Sequence, residues 1–295
     1  MPTGAQLIVD ALEREGVDVA FGLPGVHNLA LWEALRGSSI RLVGVRHEQA
    51  AAYAADGYAR ATGRLGVALT TTGPGAANTL GAVGEAWASR SPILVIATDI
   101  PAGLRRPGVY RGVLHEATDQ ASMFAAVVKG SHVVREADDI AMAVFASISQ
   151  ALTPPARPVY LGVPTDLLSA EAGGLATGYA PWSDAADADA EAVALIEAAE
   201  RPLIWAGTGA IRGDGVRALA ERIAAPVITT YGASGLLPSG HPCAVGMPPH
   251  VEPVGRLWDE ADLVIAVGSD LDGVQTQNFA QPQPGKLLAI NLDPE

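Results

Sequence analysis

Residues 40–51 read Ile-Arg-Leu-Val-Gly-Val-Arg-His-Glu-Gln-Ala-Ala and change from an apolar to a polar and then to a small-residue character. The mostly apolar run 40–45 is followed, after Arg46 and His47, by the acid Glu48 and by an alanine-rich stretch that extends to Thr62. Short apolar runs that precede longer amphipathic segments are typical of parallel strands covered by helices. The stretch therefore predicts a strand, a short loop and a helix that begins at Glu48.

The same alternation continues on both sides of this stretch. We predict further strands and helices in the order in which the apolar and amphipathic segments occur. The first series has strands at 17–22, 66–72, 92–98, 132–134 and 158–163, and helices at 29–35, from 75 to near 89, near Gln120 and at 138–151. The second has strands at 202–206, 226–230, 263–268 and 286–291 and a helix at 217–223. The fold class expected is α/β, with two doubly wound, mostly parallel three-layer domains.

The two series predict two domains. The first covers residues 1–168, and residues 169–190 are interpreted as a linker because glycine, proline, alanine and aspartate occur there without periodicity. The second domain covers residues 191–295. We expect it to be incomplete at its C-terminus, because the sequence stops directly after a predicted strand.

The composition excludes several classes of protein. Apolar residues make up 49% of the 295 residues and charged residues 17%, which indicates a buried core and not a disordered chain. A net charge of -13 argues against a nucleic-acid or anionic-membrane partner. The one cysteine, Cys243, excludes a disulfide framework, and the scattered histidines predict no metal ligands. With no signal-peptide pattern and no apolar run of about 20 residues, we expect a cytoplasmic protein.

Three loops follow predicted strands of the first domain and carry the candidate chemistry. They are residues 22–25 (Gly-Leu-Pro-Gly), 46–49 (Arg-His-Glu-Gln) and 72–75 (Thr-Gly-Pro-Gly). Because the carboxyl ends of parallel strands meet at one edge of a sheet, we expect these loops to share a ligand. Glycine permits close approach of the backbone to such a ligand, and the middle loop delivers a single acid, Glu48.

At this point the motifs resemble a known family. Residues 43–51, 56–63 (Asp-Gly-Tyr-Ala-Arg-Ala-Thr-Gly) and 73–78 (Gly-Pro-Gly-Ala-Ala-Asn) resemble the pyrimidine-binding domain of thiamine-diphosphate enzymes of the acetolactate synthase, benzoylformate decarboxylase and pyruvate decarboxylase group. Residues 206–210 and 290–294 are similar to the central domain of that family. The resemblance implies a thiamine-diphosphate-binding fold followed by a Rossmann-like central domain.

The resemblance also implies roles for particular residues. It implies that Glu48 hydrogen-bonds to the pyrimidine N1′ and so favours the imino form of the 4′-amino group, which takes the proton from the thiazolium C2. His115 lies where relatives carry a histidine pair or a glutamine, and it is a candidate proton relay; the alternative is a loop histidine that only hydrogen-bonds to backbone. Glu116 departs from the histidine pair. The implied cofactor contacts are Gly22, Leu23, Pro24, Gly25, Glu48, Thr72, Gly73, Pro74, Gly75 and Asn78.

Magnesium and the diphosphate would be held, as the resemblance implies, by a third domain that carries a Gly-Asp-Gly motif and a downstream asparagine. Residues 213–215 do read Gly-Asp-Gly, but they start a predicted helix of the second domain, so we interpret them as a coincidence. FAD, which some relatives hold in the central domain, is doubtful because Asp270 stands where synthases tend to carry arginine.

Three functions remain open from the sequence. The leading hypothesis is a component or N-terminal portion of a thiamine-diphosphate-dependent enzyme acting on a 2-oxo acid. It would be a homo-oligomer, or pair with a second chain that carries the diphosphate-binding domain, because small residues line the helices after Glu48 and Gly75. The alternative is a non-catalytic metabolite-binding module that kept the fold. An NAD-dependent dehydrogenase ranks last, since it rests only on the glycines of residues 207–213.

Overall fold

The structure, a computed structural model, describes residues 1–106, 108–173, 189–247 and 250–293. The chain divides into two compact units, Met1–Ser183 and Asp184–Glu295. Most of the predicted linker, residues 174–188, lies outside the described residues. The linker at 169–190 and the domain limits that it sets therefore stay predictions.

The first unit contains a six-stranded sheet with the order β2-β1-β3-β4-β6-β5, in which neighbouring strands are parallel. Its strands are β1 (Val19–Gly22), β2 (Arg41–Gly44), β3 (Gly66–Thr70), β4 (Ile93–Asp99), β5 (Gly130–Val133) and β6 (Val159–Pro164). Its helices are α1 (Gly4–Arg14), α2 (Leu29–Arg36), α3 (Glu48–Thr62), α4 (Pro74–Ala77), α5 (Leu80–Ala88), α6 (Ile140–Leu152) and α7 (Thr165–Ser169).

Both faces of this sheet are covered, because alternate residues of each strand point to opposite sides. On β4, Leu94 and Ile96 pack in one apolar cluster with α1, α2 and α6. Ile93 and Val95 pack in a second cluster with α3 and α5. Helices on the two faces of a parallel sheet make a three-layer α/β unit, so the predicted fold class is confirmed here.

The second unit repeats this plan on a smaller scale. Its parallel sheet has the order β10-β9-β7-β8, with α9 packed through Ile204 and Ile265 and α10 through Leu203 and Val264. The elements are α8 (Ala190–Glu197), β7 (Pro202–Ala206), α9 (Gly215–Ile223), β8 (Val227–Thr229), α10 (Glu252–Glu260), β9 (Leu263–Val267) and β10 (Leu287–Ile290). No described helix in either unit is long and apolar enough to cross a membrane.

Close backbone packing accounts for the glycines that suggested a dinucleotide site. A Cβ on Gly207 would overlap the carbonyl oxygen of Gly268. The Gly209 N–H donates to that same carbonyl oxygen at 2.9 Å. The two loops therefore lie directly against each other, and only glycine permits this approach. The Gly-Asp-Gly of residues 213–215 runs into α9, as predicted.

The elements differ from the prediction in three places. The single helix expected from residue 75 is two helices, because the Thr79 N–H bonds to the Ala76 carbonyl, three residues back, and ends α4. The helix expected near Gln120 is a short 3-10 turn, Ala121–Phe124. Finally, α1, α7, α8 and α10 were not predicted, although the capping box of Thr3 and Gln6 is a sequence signal for the start of α1.

The helix α3 lies directly against the strand β3. A Cβ on Gly66 would overlap the backbone carbonyl oxygen of Ala55. The alanines on the inner side of α3 are fully buried, and α3 also packs on α5. These alanines are Ala51, Ala52, Ala55 and Ala59. Half of the alanines and glycines of α3 thus serve packing within the unit, and the use of its small residues in a subunit contact stays a prediction.

We predict that Gly66→Ala lowers the free energy of unfolding by about 1–3 kcal/mol, because the added methyl group must push α3 away from the sheet. Gly57→Ala is the matched control. Gly57 lies in α3 with open space around its Cα, so the same methyl group should raise stability by about 1 kcal/mol. Urea denaturation of both variants measures the difference. Unfolding of Gly66→Ala at the wild-type midpoint would contradict this account of the packing.

Candidate active site

The three candidate loops follow β1, β2 and β3, which are neighbours in the sheet. The structure brings the loops into contact. A Cβ on Gly25 would lie 2.6 Å from the Thr71 Cβ, so the first loop touches the residue that directly precedes the third loop. A Cβ on Gly75 would lie 3.3 Å from Glu48 Oε1, so the second and third loops touch as well. One ligand could therefore reach all three loops.

Glu48 is the first residue of α3 and is only 8% exposed. The Asn78 side-chain amide donates a hydrogen bond to Glu48 Oε2 at 2.9 Å. No other described residue hydrogen-bonds to the carboxylate, so Oε1 is unpaired beside Gly75. The helix N-terminus favours a negative charge at this position. Glu48 is thus an oriented acid with one oxygen available to a ligand.

A buried asparagine that the sequence analysis did not single out holds the loop of residues 22–25. Asn28 is 1% exposed, and its Oδ1 accepts from the Gly25 N–H at 2.8 Å. Its Nδ2 donates to the Leu23 carbonyl at 3.1 Å. Gly22 packs so closely on β3 that its Cβ would lie 2.8 Å from the Leu69 carbonyl oxygen. Of this loop only Pro24 is well exposed, so the remaining residues are fixed by the fold.

The buried side chain of Gln120 fixes the loop of residues 72–75. Its Oε1 accepts from the Gly73 N–H at 2.5 Å, and its Nε2 donates to the Thr98 carbonyl at 2.8 Å and to the Tyr160 hydroxyl at 2.7 Å. Burial raises the pKa of Tyr160, so its hydroxyl keeps its proton. Gly73 has φ +61, the left-handed region that favours glycine. A buried polar network therefore sets the path of the Gly-Pro-Gly turn.

His115 lies at the same turn. A Cβ on Gly73 would overlap the His115 carbonyl oxygen, so the two backbones are in direct contact. The His115 side chain is exposed and has no hydrogen-bond partner among the described residues. Glu116, which departs from a histidine pair, accepts from the Arg111 and Val113 N–H groups at 3.0 Å each and shapes its own loop. His115 is thus at the site, but its predicted role as a proton relay stays a prediction.

A second histidine, His27, lies beside His115 and was missed. The ring centroids are 5.9 Å apart in an edge-to-face arrangement. His27 is 8% exposed, and its Nδ1 lies 2.8 Å from Thr72 Oγ1. Thr72 is fully buried and bonds in turn to Thr98 Oγ1 at 3.0 Å, so it contributes to the site through His27. Its predicted cofactor contact stays a prediction. The only sequence signal for His27 is its position directly after the Gly-Leu-Pro-Gly loop.

The described residues contain no group of three or more His, Cys, Asp or Glu that could hold a metal ion. The predicted magnesium site on a different domain is not tested by this and stays a prediction.

The comparison with known families agrees with this geometry. Residues 2–123 match the model described as the thiamine pyrophosphate enzyme, N-terminal TPP binding domain, and residues 190–295 match the model of the central domain. The chain belongs to the thiamine pyrophosphate enzymes. The resemblance inferred from the motifs around Glu48 and Gly73 is therefore confirmed.

Curated relatives match almost the whole chain. A probable 2-ketoarginine decarboxylase of Pseudomonas aeruginosa is 38% identical over 99% of this chain and 53% of its own length. The acetolactate synthase large subunit of Corynebacterium glutamicum is 34% identical over 99% of this chain and 48% of its own length. A probable acetolactate synthase large subunit of Methanocaldococcus jannaschii is 32% identical over 99% of this chain and 51% of its own length. The chain thus spans about half the length of these relatives.

We predict that Gln120→Leu destabilises this site, because the buried Gly73 N–H and Thr98 carbonyl both lose their partner. The free energy of unfolding should fall by about 1–3 kcal/mol, and the Gly73 amide should exchange faster with deuterium. Tyr160→Phe is the control: it removes one hydrogen bond but leaves the Gly73 contact with Gln120 in place. Wild-type protection of the Gly73 amide in Gln120→Leu would show that Gln120 does not hold the turn.

Proposed function

We propose that this chain is a component or N-terminal portion of a thiamine-diphosphate-dependent enzyme that acts on a 2-oxo acid. The reaction would be decarboxylation, carboligation of the acetolactate synthase type, or both. The observation that carries the proposal is Glu48, a nearly buried acid with one unpaired oxygen facing a Gly-Pro-Gly turn. The names of the relatives, a 2-ketoarginine decarboxylase and acetolactate synthases, support the substrate class.

The residues present fit the aminopyrimidine half of the cofactor. A Cβ on Gly25 or on Gly75 would collide with Thr71, so neither position has room for a side chain. The Thr71 hydroxyl is buried and has no hydrogen-bond partner among the described residues. Orphaned buried polar atoms are rare, and a site that a ligand completes is one place to find them. An acid, an orphaned hydroxyl and close backbones therefore suit a flat polar ring.

The roles of the chain follow from these contacts. Thiamine diphosphate, when bound, supplies a carbon nucleophile that adds to the 2-oxo group. Glu48 would hold or release a proton at the pyrimidine N1′ through its unpaired Oε1. Asn78 would keep Glu48 in that orientation, because its amide already occupies Oε2 at 2.9 Å. The loops of residues 22–25 and 73–75 would hold the ring.

A further surface would complete the site. The relatives are about twice as long as this chain, and the matched models are the N-terminal and central domains. Val26 and Leu114, neighbours of the two site histidines, are 70% and 54% exposed, which is unfavourable for apolar side chains unless another surface covers them. We place magnesium and the diphosphate on that surface, which a second copy, a second chain or a further segment would provide.

We predict that this chain alone binds thiamine diphosphate weakly, because charge-assisted contacts to phosphate normally supply much of the affinity. Calorimetry with magnesium present measures it, and thiamine without the diphosphate is the matched control. The two ligands should bind with similar low affinity, since both are held by the ring alone. A much tighter affinity for the diphosphate would place its binding site within these residues and overturn this part of the proposal.

We predict that Glu48→Gln slows hydrogen–deuterium exchange at the cofactor C2 by about 10²–10⁴-fold in the assembly that binds the cofactor. Glutamine keeps the size and one hydrogen bond but cannot carry the proton. Folding should change little, since a helix-start glutamate contributes about 0.3–1 kcal/mol. Glu85→Gln, an exposed acid on α5, is the control and should exchange at the wild-type rate. Wild-type exchange in Glu48→Gln would instead favour a non-catalytic binding module.

A further inference from the structure

His27 belongs to a hydrogen-bonded chain that the proposed function does not use. Its Nδ1 lies 2.8 Å from Thr72 Oγ1, and Thr72 Oγ1 lies 3.0 Å from Thr98 Oγ1. A threonine hydroxyl has a single hydrogen to donate. When Thr72 gives that hydrogen to Thr98, the hydrogen between His27 and Thr72 comes from His27 Nδ1. A neutral imidazole with its proton on Nδ1 carries a lone pair on Nε2.

The Nε2 atom is available to a ligand. It has no hydrogen-bond partner among the described residues, and it is not among their fully enclosed unpaired polar atoms. The backbone of His27 is fixed, because the Thr165 hydroxyl donates to its carbonyl at 2.7 Å from the start of α7. His27 is thus a rigidly held ring with its free nitrogen at an opening beside the candidate site.

The charges around His27 keep it neutral. Burial lowers the pKa of His27, and the neighbouring His115 lowers it further. Asp99 acts in the opposite sense, but its carboxylate also forms an ion pair with Arg105 and accepts from the Ile100 N–H at 2.7 Å. Since the pKa is lowered from an ordinary value near 6.5, His27 is unprotonated at neutral pH and gains its proton only in more acidic solution.

We propose that Thr72 donates to Thr98 and that His27 therefore holds its proton on Nδ1. Its Nε2 is then the hydrogen-bond acceptor and base for an O–H or N–H group of the substrate, with Thr72 and Thr98 as positioning residues. A neutral acceptor nitrogen does not attract a carboxylate, so the carboxyl group of a 2-oxo acid would bind elsewhere in the site. This inference deepens the proposed function and rests on it for the identity of the ligand. The tautomer of His27 can be tested without cofactor or substrate.

The first test is long-range proton–nitrogen NMR of the chain labelled with ¹⁵N-histidine, with His27→Gln used to assign the His27 signals. We expect the Nδ1–H form and a pKa below the ordinary value. Thr72→Val removes the acceptor hydroxyl at nearly constant volume and should shift the tautomer toward Nε2–H. His132 and His241 bond to other side chains, Gln150 and Glu221, and are internal controls. An Nε2–H form in the wild type, or no response to Thr72→Val, would overturn the proposal.

The second test uses the cofactor-loaded assembly with hydroxypyruvate, a 2-oxo acid that carries an O–H group, as the probe. His27→Phe should leave hydrogen–deuterium exchange at the cofactor C2 within about two-fold of wild type, since Glu48 and Asn78 are unchanged. It should lower kcat/KM by about 10²-fold or more and abolish the fall of kcat/KM on the acidic side, where His27 becomes protonated. His27→Gln, which can still accept a hydrogen bond, should recover part of the rate. If kcat/KM of His27→Phe still falls at acidic pH as it does in the wild type, His27 is rejected as the base. Loss of C2 exchange in Glu48→Gln concerns the proposed function alone.

Discussion

The close approach of α3 to β3, where Gly66 lies against the Ala55 carbonyl, fixes the position of Glu48 in the candidate site. A helix packed this tightly cannot slide along the strand without a backbone collision. Its N-terminus, and with it Glu48, is therefore held beside the loop that follows β3. The strand order β2-β1-β3 then places the remaining loop on the same edge. The orientation of one acid thus depends on a packing contact at the opposite end of the strand.

The prediction from sequence succeeded where the signal is local. The strands of both units and the start of α3 at Glu48 follow from apolar runs and from the order of loop and helix residues. It failed where the signal is tertiary. His27 and Thr72 are separated by 45 residues in the chain, and nothing near either residue in sequence indicates their contact. Likewise Asn28 and Gln120 are recognisable as supports of the site only when the loops they bind are seen in space.

The role of a glycine is likewise not visible in the sequence alone. The glycines at 207 and 209 fit a nucleotide-binding pattern, but in the fold their missing side chains make room for Gly268. The glycines at 25 and 75 instead leave their missing side chains beside Thr71 and an unpaired acid. The residue type is the same in both units. In both units the absent Cβ would have met a group of the chain itself, and only the folded chain shows which group that is.

The segment of residues 72–78 connects the two chemical groups of the site. Thr72, at its start, bonds to His27, and Asn78, near the other end, bonds to Glu48. Between them, Gly73 is held by Gln120 and adjoins His115. Glu48 and His27 are therefore both held by side chains of one short segment, and they use separate hydrogen-bond partners within it. Because neither partner is shared, a change at Asn78 acts on Glu48 and a change at Thr72 acts on His27, while the turn that joins the two partners keeps the distance between them.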